Sequence, residues 1–311
     1  MQKSEKKGLI VLVVITILAI TIPVARNVTA SKVSFSGSNT SGTRANLRPS
    51  LKTYIAELYI TGTIQEKNSE YNQEWLLKTI SFLKNDEKNL GIILFIDSPG
   101  GTVYHADEAY IALLDYKSTG KKLYAYFGSM AASGGYYIGC AADKIYANRN
   151  SLLGSIGVIS AQTIDATSLM EKIGIKSVTV HAGKNKNMLN YNEPATEEQL
   201  NIMQALADEC YQQFTEIVSL SRKMDIDKVK ELADGRIYSA KQGKENGLID
   251  EIATLEEAEL LIKTDFQEEM PVFKSFRYQK PDSLRTFFLD SLSFLRPLQG
   301  SFSEKTLLRY Q

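Results

Sequence analysis

The chain has 311 residues, 43% hydrophobic and 23% charged, with 36 Lys plus Arg balanced by 36 Asp plus Glu. That composition is ordinary for a globular protein and excludes a disordered chain, a collagen-like repeat and a polytopic membrane bundle. A formal net charge of zero gives no basic field for nucleic acid, and two cysteines with two histidines are too few for a disulfide framework or a zinc cluster.

Residues 1–7 carry Lys3, Lys6 and Lys7 against Glu5, and residues 8–25, GLIVLVVITILAITIPVA, carry no charge. A run of that length is about what a helix needs to cross a bilayer. The lysine excess predicts a cytoplasmic N-terminus, with everything after Arg26 on the far side. A cleavable signal peptide is the rival, with Val28-Thr29-Ala30 as its cleavage site. Signal peptides have shorter apolar regions, about 7–15 residues, so a retained transmembrane anchor is expected. Residues 26–50 are rich in Ser, Thr, Asn and Gly and read as a flexible tether.

The soluble body, 51–262, alternates strands with helices. Tyr54–Ile60 reads as a strand and Trp75–Leu83 as a helix by apolar spacing. Gly91–Ile96 is a continuous apolar run, as expected of a strand buried on both faces. It ends in Asp97-Ser-Pro-Gly-Gly101, followed by a helix with Ala106, Ala109, Leu113 and Leu114 inward. Lys122–Phe127 is the next strand, then a small-residue segment from Gly128 to Ala142, then a short strand, Lys144–Ala147. This order predicts an α/β fold with a mostly parallel sheet. A Val-rich strand is expected to end at His181. A long helix from about Thr196 to Ser221 opens on the capping box Thr196-Glu-Glu-Gln199, with Leu200, Met203, Ala207, Cys210, Phe214 and Ile217 on its buried face. Cys140 and Cys210 sit in apolar helical contexts and read as free thiols. In the tail, 263–311, Asp282 caps a candidate amphipathic helix carrying Leu284, Phe287, Phe288, Leu292 and Leu295.

Two Gly-rich stretches follow strand ends, Ser98-Pro-Gly-Gly101 and Ser129-Met-Ala-Ala-Ser-Gly-Gly-Tyr-Tyr137. Ligands of open α/β sheets sit beyond the carboxyl ends of strands, so both loops are placed to share one site. Ser133 stands at the start of an apolar helix, where the dipole and free amides favour an oxyanion. The plainer reading is an N-cap serine with glycines for close packing. Phosphate binding is excluded by the lack of GxxxxGK[ST] and GxGxxG patterns after these strands.

Together with Ala142-Asp-Lys-Ile-Tyr146, Leu153-Gly-Ser-Ile-Gly-Val-Ile159 and Ala233-Asp-Gly-Arg-Ile-Tyr238, these motifs occur in the order found in one family. From about Tyr54 to Ile252 the chain resembles the signal peptide peptidase A family of membrane-anchored serine–lysine peptidases. The resemblance implies a crotonase-like fold related to the Clp proteolytic subunit. It implies Ser133 as nucleophile and Lys186 of Gly183-Lys-Asn-Lys186 as general base, with Lys184 as the alternative. Gly134 and the Gly100/Gly101 loop, Gly101 favoured, are the implied oxyanion donors, and Ser155 orients the lysine or simply caps a turn. No metal or organic cofactor is implied. Phe95 stands where relatives commonly carry arginine, and the segment 187–194 lacks their usual Ser-Pro and arginine.

The implied reaction is hydrolysis of released signal peptides and other short apolar peptides through an acyl-enzyme, by a homo-oligomer at the bacterial inner membrane with its catalytic domain outside the cytoplasm. The lysine is expected from a neighbouring subunit. A quality-control protease of membrane proteins, with the same chemistry, and a non-catalytic scaffold remain as alternatives. An acyl-CoA enzyme of related fold is disfavoured by the anchor. A Ser-His-Asp triad would have to recruit His105 or His181.

Overall fold

The computed structural model describes residues 50, 52–266 and 271–280; the expected anchor, most of the tether and the helix beginning at Asp282 lie outside the described residues. β1 (Tyr54–Thr61) is followed by α1 (Gln73–Asn85), β2 (Asn89–Ser98), α2 (Val103–Lys117) and β3 (Lys122–Ala132). β1, β2 and β3 lie side by side and parallel. Side-chain alternation splits their apolar residues between two faces. Leu58, Ile60, Leu94, Ile96, Ala125 and Phe127 enter the larger core, whereas Ile55, Ile93, Tyr124 and Tyr126 enter a smaller one. α1 and α2 contribute to the larger core with Leu76, Ile80 and Leu83 and with Ala106, Ala109 and Leu113. Leu114, expected inward, is 40% exposed. A helix advances 100° per residue, so once Leu113 points inward the next buried position falls three on, at Tyr116. Its hydroxyl donates to Asn89 Oδ1 at 2.6 Å.

β3 runs five residues further than the sequence suggests, and its two halves have different neighbours. Tyr124–Phe127 pair with β4 (Lys144–Ala147), and Met130–Ala132 pair with β5 (Leu152–Gly154). Between β3 and β4 lies the short α3 (Gly134–Gly139). Then come α4 (Thr167–Lys172), α5 (Glu197–Arg222), α6 (Ile226–Leu232), β6 (Ile237–Ser239), α7 (Ala240–Glu245), β7 (Glu251–Ile252), α8 (Leu255–Thr264) and β8 (Val272–Phe276). The described strands form one sheet of order β6-β5-β3-β2-β1-β8, with β4 and β7 continuing from the first half of β3. Every pairing is parallel except β5 with β6. The parallel edge strand β8 lies beyond the segment in which sequence periodicity shows strands.

The capping box of α5 forms as the sequence predicts. Its long buried face does not. Phe214 and Ile217 are buried, but Leu200 is 51% exposed, and no residue from 157 to 213 is buried. The expected Val-rich strand ending at His181 is also absent, and Val178 and Val180 are 85% and 96% exposed. An extended segment without a neighbour has no partner for its backbone hydrogen bonds, so apolar, β-branched composition alone does not make a strand. Cys140 is buried, Cys210 half-buried, and both thiols are free. Burial pushes the Cys140 thiol up to about 12.

α8 covers the smaller core with Ala258 and Ile262 and brings Glu259 towards Glu57 of β1, which also accepts the Ser275 hydroxyl of β8. Burial first, and then the Glu57 charge, push the Glu259 carboxyl up to about 7. A carboxyl raised in the folded state binds its proton more tightly there than in the unfolded chain. Its stabilising contribution is therefore present at acid pH and is lost as pH rises through about 7. Glu259→Gln is expected to be more stable than wild type at pH 8 by about 1 kcal/mol, after discounting for solvent screening, or about 2–4 °C in Tm. The gain should vanish at pH 5; thermal melts at both values check it.

Candidate active site

Strand β3 ends at Ala132, α3 begins at Gly134, and Ser133 makes the whole turn between them with φ 51° and ψ −121°. A residue with a Cβ holds such a backbone only at a cost of about 1–3 kcal/mol, so the surroundings must enforce it. They do so from both sides. The Ser133 N–H donates to Gly154 O at 2.8 Å, and the Ser133 carbonyl accepts the Tyr137 N–H at 2.9 Å. A serine projected from a sharp strand-to-helix turn is half-buried and reachable, which is the geometry used to present a nucleophile.

The Ser98-Pro-Gly-Gly101 loop closes over this turn. Gly100 has φ 98°, and a Cβ there would stand 2.7 Å from Gly134 N and 2.8 Å from the Ser133 Cβ. A Cβ on Gly101 would stand 1.8 Å from Ile64 O. The loop is held by Ser98, whose hydroxyl donates to Gly62 O at 2.6 Å and accepts the Gly100 N–H at 3.1 Å. That bond separates the two candidate donors. The Gly100 amide is already committed, whereas the Gly101 nitrogen lies 3.3 Å from where a Gly134 Cβ would stand. Gly134 is the first residue of α3, where helical amides lack intrahelical partners. Gly101 and Gly134 are therefore the paired amides beside Ser133. Gly101→Ala is expected to cut kcat/KM by about a hundredfold or more, because displacing the loop by an ångström disrupts the site. Steady-state kinetics beside a thermal melt check this.

Ser133, Gly101 and Ser155 line one cleft of about 940 Å3 with Pro99, Val103, Val158, Ile159, Tyr211 and the Ala233–Gly235 turn. Ser155 also has positive φ, 49°, and its N–H donates to Arg236 O at 2.8 Å. The Ala233-Asp-Gly-Arg236 motif thus fixes Ser155 in the cleft that Ser133 also lines, a role that its sequence context does not display. The walls mix apolar side chains, Pro99, Val103, Val158 and Ile159, with polar ones, Thr102, Ser133, Ser155, Tyr211 and Asp234.

Lys186 lies elsewhere. It is exposed and lines a separate hollow of about 490 Å3 with Thr163, Ile164 and Tyr191. Its N–H donates to Gly183 O at 3.1 Å. Lys184 is ion-paired with Glu198, while Lys186 makes no ion pair among the described residues. Neither histidine is among the residues lining the Ser133 cleft. His105 Nδ1 is 2.6 Å from Thr102 Oγ1 on α2, and His181 is exposed beside Gly183 O. Phe95 packs between Tyr59 and Tyr126, at 4.8 and 5.6 Å between ring centroids.

The description "Peptidase family S49" matches residues 115–267. The chain is 35% identical over 211 residues to a putative signal peptide peptidase SppA of Enterococcus faecium, covering 66% of this chain and 61% of that one. It is 36% identical over 211 residues to a putative protease of Synechocystis sp., covering 68% and 74%. The matched stretch thus spans less than two thirds of the Enterococcus relative. Among solved structures, a ClpP1 mutant from Listeria monocytogenes aligns with a TM-score of 0.46 at 15% identity, covering 65% of this chain and 92% of that chain.

Proposed function

Since the chain belongs to peptidase family S49, that of the SppA peptidases, we propose that it hydrolyses short apolar peptides, released signal peptides among them, with Ser133 as nucleophile and Lys186 as general base. The observation that carries this reading is the strained Ser133 turn beside the Gly101 and Gly134 amides, in a cleft whose lining includes Pro99, Val103, Val158 and Ile159. Lys186 as a free amine takes the Ser133 proton, and Oγ attacks the peptide carbonyl. The two amides hold the oxyanion, and the lysine returns the proton to the leaving amine. Water then repeats the sequence on the acyl-enzyme. Ser155, which lines the same cleft, orients the incoming ammonium in this reading, unless it only caps its turn.

The base comes from a neighbouring copy. Supporting this are the separation of Lys186 from the Ser133 cleft and the exposure of Ile164 in its own hollow, of Ile159 in the cleft, and of Val178 and Val180. Exposed apolar surface of that extent fits a protein interface. Burial there also supplies what a lysine base needs, since a solvated lysine is protonated at neutral pH and desolvation favours the free amine. The assembly is read as a crotonase- or Clp-like ring, tethered through residues 8–25 to the cytoplasmic membrane with its clefts on the outer side. Turnover of a fluorogenic apolar peptide by the assembled wild-type protein is the test. Hydrolysis is expected, and an assembled but inert protein would favour the scaffold reading.

A further inference from the structure

Behind the site, three helices meet through a closed ring of hydrogen bonds. The Tyr137 hydroxyl of α3 donates to Asp107 Oδ1 of α2 at 2.6 Å. Gln213 Nε2 of α5 donates both to Asp107 Oδ1 at 3.0 Å and to Tyr137 Oη at 2.6 Å. Tyr137 is 4% exposed and packs edge-on against Tyr110, with ring centroids 5.4 Å apart, and on Phe214 at 5.0 Å. Burial, followed by the bond to the Asp107 carboxylate, holds its phenol above the usual range, so it remains a donor. The ring spans the two helices that present the oxyanion amides. Gly134 opens α3, and Tyr137 sits one turn on, its N–H on the Ser133 carbonyl at 2.9 Å. Gly101 immediately precedes Thr102, the N-cap of α2, and Asp107 follows within that helix. The helices touch at their starts, where a Gly134 Cβ would lie 3.2 Å from the Ala106 Cβ. Any slide of α2 along α3 changes the spacing of the two amides.

We propose that Asp107, Tyr137 and Gln213 are positioning residues that fix the separation of the Gly101 and Gly134 amides, so that the oxyanion hole is set before substrate arrives. This rests on the peptidase reading of the same site. None of the three side chains is among those lining the cleft, so their effect is carried by the helices. Oxyanion donors act only at well-aligned positions, and a misplacement of about 1 Å costs on the order of a hundredfold. Loss of the ring should therefore lower kcat and leave ground-state binding intact.

The test compares wild type, Tyr137→Phe and Gln213→Met in the full chain. The expected result is a kcat lower by about ten- to a hundredfold, with KM within about twofold. Phosphonylation of Ser133 by a fluorophosphonate, which builds a tetrahedral adduct, should slow in parallel. Affinity for an uncleaved peptide bound to a Ser133→Ala background should stay unchanged. The double variant should lose little more than either single one, because both break one ring. Gln213, at the exposed edge, keeps the test available should Tyr137→Phe fold poorly. Unchanged kcat in a folded variant, or equal losses in kcat/KM and in peptide affinity, would overturn the proposal and leave the peptidase reading standing. A wild type that neither cleaves nor is labelled removes both.

Discussion

Ser133→Ala is expected to abolish turnover of a fluorogenic apolar peptide, a loss of about ten thousandfold or more, with Tm within about 2 °C of wild type. Alanine keeps a Cβ at φ 51°, so it inherits the strain of the turn and removes only the oxygen. Ser133→Gly separates chemistry from stability. Glycine adopts positive φ freely, so this variant should be equally inactive yet more stable by about 1 kcal/mol. The strained turn at Ser133 costs folding stability, and the glycine variant reads that cost directly. If it melts below the alanine variant, the strain assigned to Ser133 is wrong.

Lys186→Ala should lose about a thousandfold in kcat, from removal of the general base. Lys184→Ala should stay within about threefold, because its ammonium serves an exposed ion pair with Glu198, of a kind worth little. Mixing subunits tests the neighbour's role. Ser133→Ala and Lys186→Ala are each inactive alone, but an oligomer reassembled from both contains clefts where an intact Ser133 meets an intact Lys186 from the adjacent copy. About a quarter of wild-type activity is expected from a random equal mixture, since each half of a cleft is intact with even odds. Failure to complement in a demonstrably mixed oligomer would place the base in the same copy as its serine.

The parallel sheet was legible because a strand buried on both faces is apolar along its length, as Gly91–Ile96 is, and because strands and helices alternate on either side of it. The start of α5 was legible because Thr196 and Gln199 satisfy each other's amides locally. What covers an apolar face is not a local property. Leu200, Val178 and Val180 carry the signature of burial, yet among the described residues nothing covers them, and periodicity cannot name what would. The same holds for the site. Ser133 and its glycines announce themselves because a tight turn and close backbone approach demand particular residue types within a few positions. The Ser98 bond that removes Gly100 as a donor, and the Arg236 carbonyl that seats Ser155, join residues whose relation appears only on folding.

Mapping the residue modified by a fluorophosphonate in the full-length wild-type protein tests the central claim most directly. The probe should add one phosphonyl group per active cleft, on the peptide that contains Ser133, and an apolar peptide substrate should protect against it. Modification elsewhere, or none in a protein that cleaves peptides, would contradict an acyl-enzyme on Ser133.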